Sequence, residues 1–127
     1  MQDRPTAAEL LADIAELLEG EALEATSGAL RHKIRVAGNL SRILEREVAA
    51  APALDAREVE LLASLLGETA DGRTAAELTH AVCQRLDRGH DAAFEGAAWT
   101  AALEIVRGKL AIAKPGHDDY DFSGEQA

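Results

Sequence analysis

Leu10, Leu11, Ile14, Leu17 and Leu18 recur at spacings of three and four, while Glu9, Asp13, Glu16 and Glu19 fill the positions between them. That period belongs to one face of an α-helix. Comparable spacing returns through the rest of the chain, and nowhere do apolar and polar residues alternate as a strand requires. The 47% of hydrophobic residues is mostly Ala, Leu, Ile and Val, with Phe94, Trp99, Tyr120 and Phe122 as the aromatics. That supply suits helices better than sheets. At 127 residues the chain is one domain's worth. The expectation is an all-α, single-domain bundle of about five helices over residues 1–114, followed by a loose acidic tail at 115–127.

Local signals divide the helices. Thr6 with Glu9 forms a capping-box pattern that opens a first helix, expected to reach about Glu24. Ser27-Gly28 separates it from a second, over about 29–50, and Pro52 is expected to end that one, since proline disfavours helix in the residue before it. Asp55 with Glu58 reads as another capping box, Leu54 and Val59 as a hydrophobic staple, and Gly67 as the C-terminal cap of a third helix. Thr74 and Glu77 open a fourth, which stops near Gly89. Asp91 caps a fifth that runs to about Ala113, before Pro115.

Two helices carry wide apolar arcs. In the second, Leu30, Ile34, Val36, Ala37, Leu40, Ile43, Leu44 and Val48 cover nearly half the circumference, which places it at the centre of the bundle. The fifth has Phe94, Ala98, Ala101, Ile105 and Ile112 on one side and Trp99, Leu103, Val106 and Leu110 on another.

Charge narrows the function classes. The net charge is -10, with seven acids against Arg4 in residues 1–24 and four acids with no Lys or Arg in 115–127. Nucleic acid is not an expected partner, because binding it needs concentrated positive charge. No apolar run reaches the length of a membrane span, so a membrane is not expected either. Cys83 has no second cysteine to pair with, and Met1-Gln2-Asp3-Arg4-Pro5 is unlike the start of an export signal. A soluble, cytoplasmic protein is expected.

Three groups of residues invite a chemical reading. Gly67-Glu68-Thr69-Ala70-Asp71-Gly72-Arg73-Thr74 has the glycine spacing of a phosphate loop, but it follows a helix and carries two carboxylates that repel phosphate. A helix cap, an Asp-Gly turn and a second cap describe it better. Glu77 and His80 share the Glu-x-x-His spacing of metal-binding bundles, and Cys83 lies one turn further on. No second copy of the motif is present, and Cys83 beside Val82 and Leu86 reads as a small core residue. Neither metal nor cofactor is expected. Lastly, His32, Val36, Asn39 and Ile43 share a face flanked by Arg35, Arg42 and Arg46. Two readings stand: His32 and Asn39 pair with backbone while the arginines meet the acidic first helix, or His32, Arg35, Asn39 and Arg42 form a binding surface. Ser27 and Ser41 lack the context of a nucleophile, so no catalytic residue is assigned.

The opening Asp3-Arg4-Pro5-Thr6-Ala7-Ala8-Glu9-Leu10-Leu11, the segment His32-x-x-x-Val36-Ala37-x-Asn39, and Lys109-Leu110-Ala111-Ile112-Ala113 before Pro115 together resemble a small bacterial family of uncharacterised function. Its members are found beside, or joined to, aminoglycoside-phosphotransferase-like kinases, and near acyl-CoA dehydrogenases. Lys114 departs from the family's pattern, which has Asn before the proline. The resemblance implies an accessory role and assigns no reaction; the preferred reading is a binding or regulatory module that docks on a phosphotransferase-like kinase, with self-association a second expectation. The alternative is a small helical enzyme, metal-dependent through Glu77 and His80.

Overall fold

The computed structural model describes residues 3–116, and every regular element among them is helical, so the chain is all-α. The elements are α1 (Ala7–Glu19), α2 (Glu21–Glu24), α3 (Gly28–Leu66), α4 (Ala75–Asp87) and α5 (Ala92–Ala113). Of the expected acidic tail, residues 117–127 lie outside the described residues.

Local chemistry sets most of the ends. The Thr6 hydroxyl accepts from the Glu9 amide at 3.2 Å while the Thr6 amide donates to Glu9 Oε2 at 2.7 Å, which completes the capping box. Thr74 and Asp91 cap α4 and α5 by accepting from the Glu77 and Phe94 amides. At Gly67, φ is +74°, and the Gly67 and Glu68 amides return to the Ser64 and Ala63 carbonyls. That is a Schellman closure of α3.

Two boundaries differ from the sequence expectation. Gly20 (φ -105°, ψ -103°) ends α1 five residues early and sets off the short α2. The second and third expected helices are one: α3 runs 39 residues with Pro52 inside it. Proline in a helix removes one hydrogen bond and crowds the carbonyl four residues back, a cost of about 3 kcal/mol. Ala49, Ala50, Ala51 and Ala53 surround it with the strongest helix former, and Val48, whose carbonyl loses its donor, is exposed to water. Asp55 and Glu58 are therefore interior helix residues and not a cap.

The described chain forms two compact units, divided between Ala51 and Pro52. The first holds α1, α2 and the N-terminal half of α3. Small residues make its seam: Ala15 is fully buried, Gly38 and Ser41 are buried, and Ser41 Oγ donates to the Leu11 carbonyl at 2.9 Å. A Cβ on Gly38 would stand 3.4 Å from Leu18 Cβ, so the helices meet there at van der Waals distance. Arg31 Nη1 donates to the Leu23 carbonyl at 2.6 Å. Later residues of α1 and α2 thus meet earlier residues of α3, and the two strands of this helical hairpin run antiparallel.

The second unit holds the rest of α3 with α4 and α5. Leu62, Ala63, Leu78, Val82 and Phe94 form its core, with Val59, Leu65, Leu66 and Ile105 packed around them. Gly108 lets α5 approach Leu54, and Arg57–Glu104 (2.8 Å) and Lys109–Glu58 (3.3 Å) tie α5 to α3 at the surface. The Arg85 guanidinium lies 3.9 Å from the Phe94 ring centroid, a cation–π contact between α4 and α5. On α5 the Phe94, Ala98, Ala101 and Ile112 side is buried, as the spacing anticipates, whereas Trp99, Leu103 and Val106 are exposed.

Candidate interaction surface

In the first unit the aliphatic arc of α3 is not the buried one. Leu30, Val36, Leu40, Leu44 and Val48 are 43–57% exposed, while the side turned to α1 is Gly38 and Ser41, with Ile34, Ala37, Arg42 and Glu45 half-buried around them. The same division holds on α1, where Ala15, Leu11 and Leu18 turn inward and Leu10, Ile14 and Leu17 are 44–54% exposed. Hydropathy identified these arcs but not which one α1 and α3 use on each other. Tight packing of two helices favours residues small enough to bring the backbones together.

Geometry joins the two exposed stripes. At about 100° per residue, each lies roughly 100° from its own helix's contact side, in the direction of decreasing angle. Because the helices run antiparallel, equal rotation in that sense brings both stripes to the same side of the hairpin. Leu10, Ile14 and Leu17 therefore continue Leu30, Val36, Leu40, Leu44 and Val48 as one apolar face two helices wide.

The polar residues singled out on α3 take the opposite side. His32, Arg35 and Asn39 are exposed, and among the described residues none of the three enters a side-chain hydrogen bond or ion pair. The expected backbone pairing of His32 and Asn39 is thus not what the structure has. Arg42 is engaged: Nε and Nη2 donate to the Glu19 carboxylate at 3.1 and 2.9 Å, and Nη1 donates to Glu45 at 2.9 Å. The hydrogen bonds from Arg42 hold the Glu19 carboxyl below its ordinary range, and the two carboxylates raise Arg42 in turn. Arg42 meets the acidic first helix, as charge complementarity suggested, while Arg35 on the same ridge stays free of it.

The other chemical candidates come apart. Cys83 is exposed, which corrects the core assignment: it follows buried Val82 by one residue, and 100° of rotation carries it off the Leu78–Val82 line. Glu77 and His80 are exposed on α4, and among the described residues no three His, Cys, Asp or Glu side chains gather as a metal site would require. The glycine-spaced loop is two caps around a turn, with Asp71 (φ 44°) and Gly72 (φ 77°) at its centre and the Arg73 amide returning to the Ala70 carbonyl at 2.9 Å. Arg73 is ion-paired with Glu68. An open groove of about 710 Å³ runs beside this loop between Ala56 and Ala70. Its carboxylates are already neutralised, Glu60 by Arg57 and Glu68 by Arg73. No described helix is long and apolar enough to cross a membrane.

Fold and surface define an all-α chain with an apolar face exposed on a helical hairpin. The family described as Domain of unknown function (DUF6285) matches residues 24–117, most of the chain, and the chain belongs to it. The His32–Asn39 and Lys109–Ala113 segments fall inside the match, whereas the opening segment and α1 lie before it. No curated protein and no solved structure matches the chain.

Proposed function

We propose that this protein is an accessory or regulatory binding module that acts by docking on other protein chains and not by catalysis. One observation carries the reading: the contiguous apolar face of the α1–α3 hairpin. Eight aliphatic side chains about half exposed leave roughly 700 Å² of apolar surface, beyond the few hundred Å² that a free-standing soluble protein ordinarily shows in one patch. Leaving such a surface in water is unfavourable at about 25 cal/mol per Å², so its retention argues for a partner.

The ridge of His32, Arg35 and Asn39, with Arg42 at its margin, lies on the other side of the hairpin and supplies unpaired donors and charge. Such groups select a partner more than they add affinity. The resemblance points to an aminoglycoside-phosphotransferase-like kinase as that partner, in a cytoplasmic setting. Affinity capture of the tagged chain from its native cells, at low and moderate salt, tests this. Recovery of a phosphotransferase-like protein, lost with Arg35→Glu, supports kinase docking through the ridge; recovery of nothing else contradicts it.

A further inference from the structure

We propose that the occupant of the apolar face is a second copy of this chain, two α1–α3 hairpins closing into an antiparallel four-helix bundle. The inference rests on the reading of that face as an interface and adds its partner, register and symmetry.

Roughly 700 Å² from each copy is close to the ~800 Å² per partner of a standard stable interface. A four-helix bundle consists of two layers, each two helices wide, and the hairpin is one such layer with its inner face bare. A two-fold axis makes a face its own partner, provided that its residues are self-complementary.

The charges within the stripe meet that condition. Lys33, Leu40 and Glu47 stand at successive intervals of seven on α3, along the line of the exposed stripe. Among the described residues neither Lys33 nor Glu47 has an ion-pair partner, although other charged residues of this unit, such as Arg42 and Glu19, are paired. A second α3 laid antiparallel and centred on Leu40 puts Lys33 opposite Glu47 of the other copy, twice, with Val36 opposite Leu44 and Leu40 opposite Leu40. A parallel α3 pair in register would instead set lysine over lysine and glutamate over glutamate. The same axis serves α1. Because Leu11 meets Ser41 and Leu18 meets Gly38 within one copy, the level of Leu40 falls near Ile14. Leu10 then faces Leu17 of the other copy and Ile14 faces Ile14. One axis satisfies both helices, and the polar ridge stays in solvent on the outside of the dimer.

Sedimentation equilibrium on the full chain across a dilution series, with charge-reversal variants, tests this. The wild type is expected to be a dimer at micromolar concentration, and Leu40→Glu a monomer with wild-type helical circular dichroism. Lys33→Glu and Glu47→Lys should each weaken the dimer about tenfold by setting like charges opposite each other, and the double variant should recover most of that loss. Arg35→Glu, on the other side, should leave the dimer unchanged. A wild type that stays monomeric at 100-fold higher concentration overturns the proposal, as does a double variant no better than the singles; both readouts are independent of whether Leu40→Glu folds. A monomer that still captures a kinase would refute the second copy and leave the docking reading standing. A dimer that captures nothing would do the reverse.

Discussion

Replacing Pro52 by alanine measures the continuity of α3. In a helix interior, proline is about 3 kcal/mol less favourable than alanine, because the ring removes one hydrogen bond and presses on the carbonyl of Val48. Alanine restores the donor and relieves that contact. Against this, proline stiffens the unfolded chain, an effect of about 0.4–1 kcal/mol that the substitution gives up. The net expectation is a gain of about 2 kcal/mol. At roughly 4 °C per kcal/mol for a chain of this size, the Tm should rise by about 8 °C. Circular dichroism at 222 nm reads both stability and helix content, and the native amplitude should stay the same because residues 49–55 are already helical. A larger amplitude with no gain in Tm would mean that the wild-type chain breaks at Pro52 and that α3 is two helices.

Three further outcomes follow from the packing and the ion pairs. Leu78 is fully buried in the core of the second unit, so Leu78→Ala should cost about 2–5 kcal/mol in urea denaturation, and a loss below about 1 kcal/mol would contradict that core. Gly96 lies inside α5 with open space where a Cβ would stand, so Gly96→Ala should stabilise by about 0.5–1 kcal/mol. Gly38→Leu should cost about 1–3 kcal/mol by forcing α1 off α3, and thermal unfolding of the pair separates the two cases. Glu19 has its folded-state pKa lowered by Arg42, so its contribution is present at neutral pH and is lost as pH falls through that lowered value. Glu19→Gln should be modestly less stable than wild type near pH 7, with the gap closing on acidification; a gap that widened would invert the assignment.

The caps were legible in the sequence because they are local. Thr6, Thr74 and Asp91 each act on an amide three residues away, and Gly67 closes α3 through its own φ. The all-α class followed from periodicity for the same reason. Pro52 misled because its rule concerns one residue's preference, whereas the alanines around it and the packing at both ends of α3 decide the element. The α1–α3 seam was hidden since Gly38, Ala15 and Ser41 carry little hydropathy signal, although their size governs how closely two helices approach. Periodicity placed Leu40 and Leu44 on a common face, but it holds no information on whether a face is covered. Of the polar ridge, the partner of Arg42 was foreshadowed by the acids of the first helix, while the openness of His32, Arg35 and Asn39 required coordinates. Cys83 was misplaced by reading its neighbours along the chain when the helix turns it away from them.

Whether the apolar face is covered can be read by oxidative footprinting, with the chain labelled at its natural level in intact cells and again as purified protein diluted to nanomolar concentration. Leu10, Ile14, Leu40 and Leu44 are expected to be protected in the cell and to become reactive on dilution, while Arg35 and Asn39 mark the side a second partner would shield. Equal labelling of the four aliphatic residues under both conditions would show a face that nothing covers, and would contradict the protein's reading as a binding module.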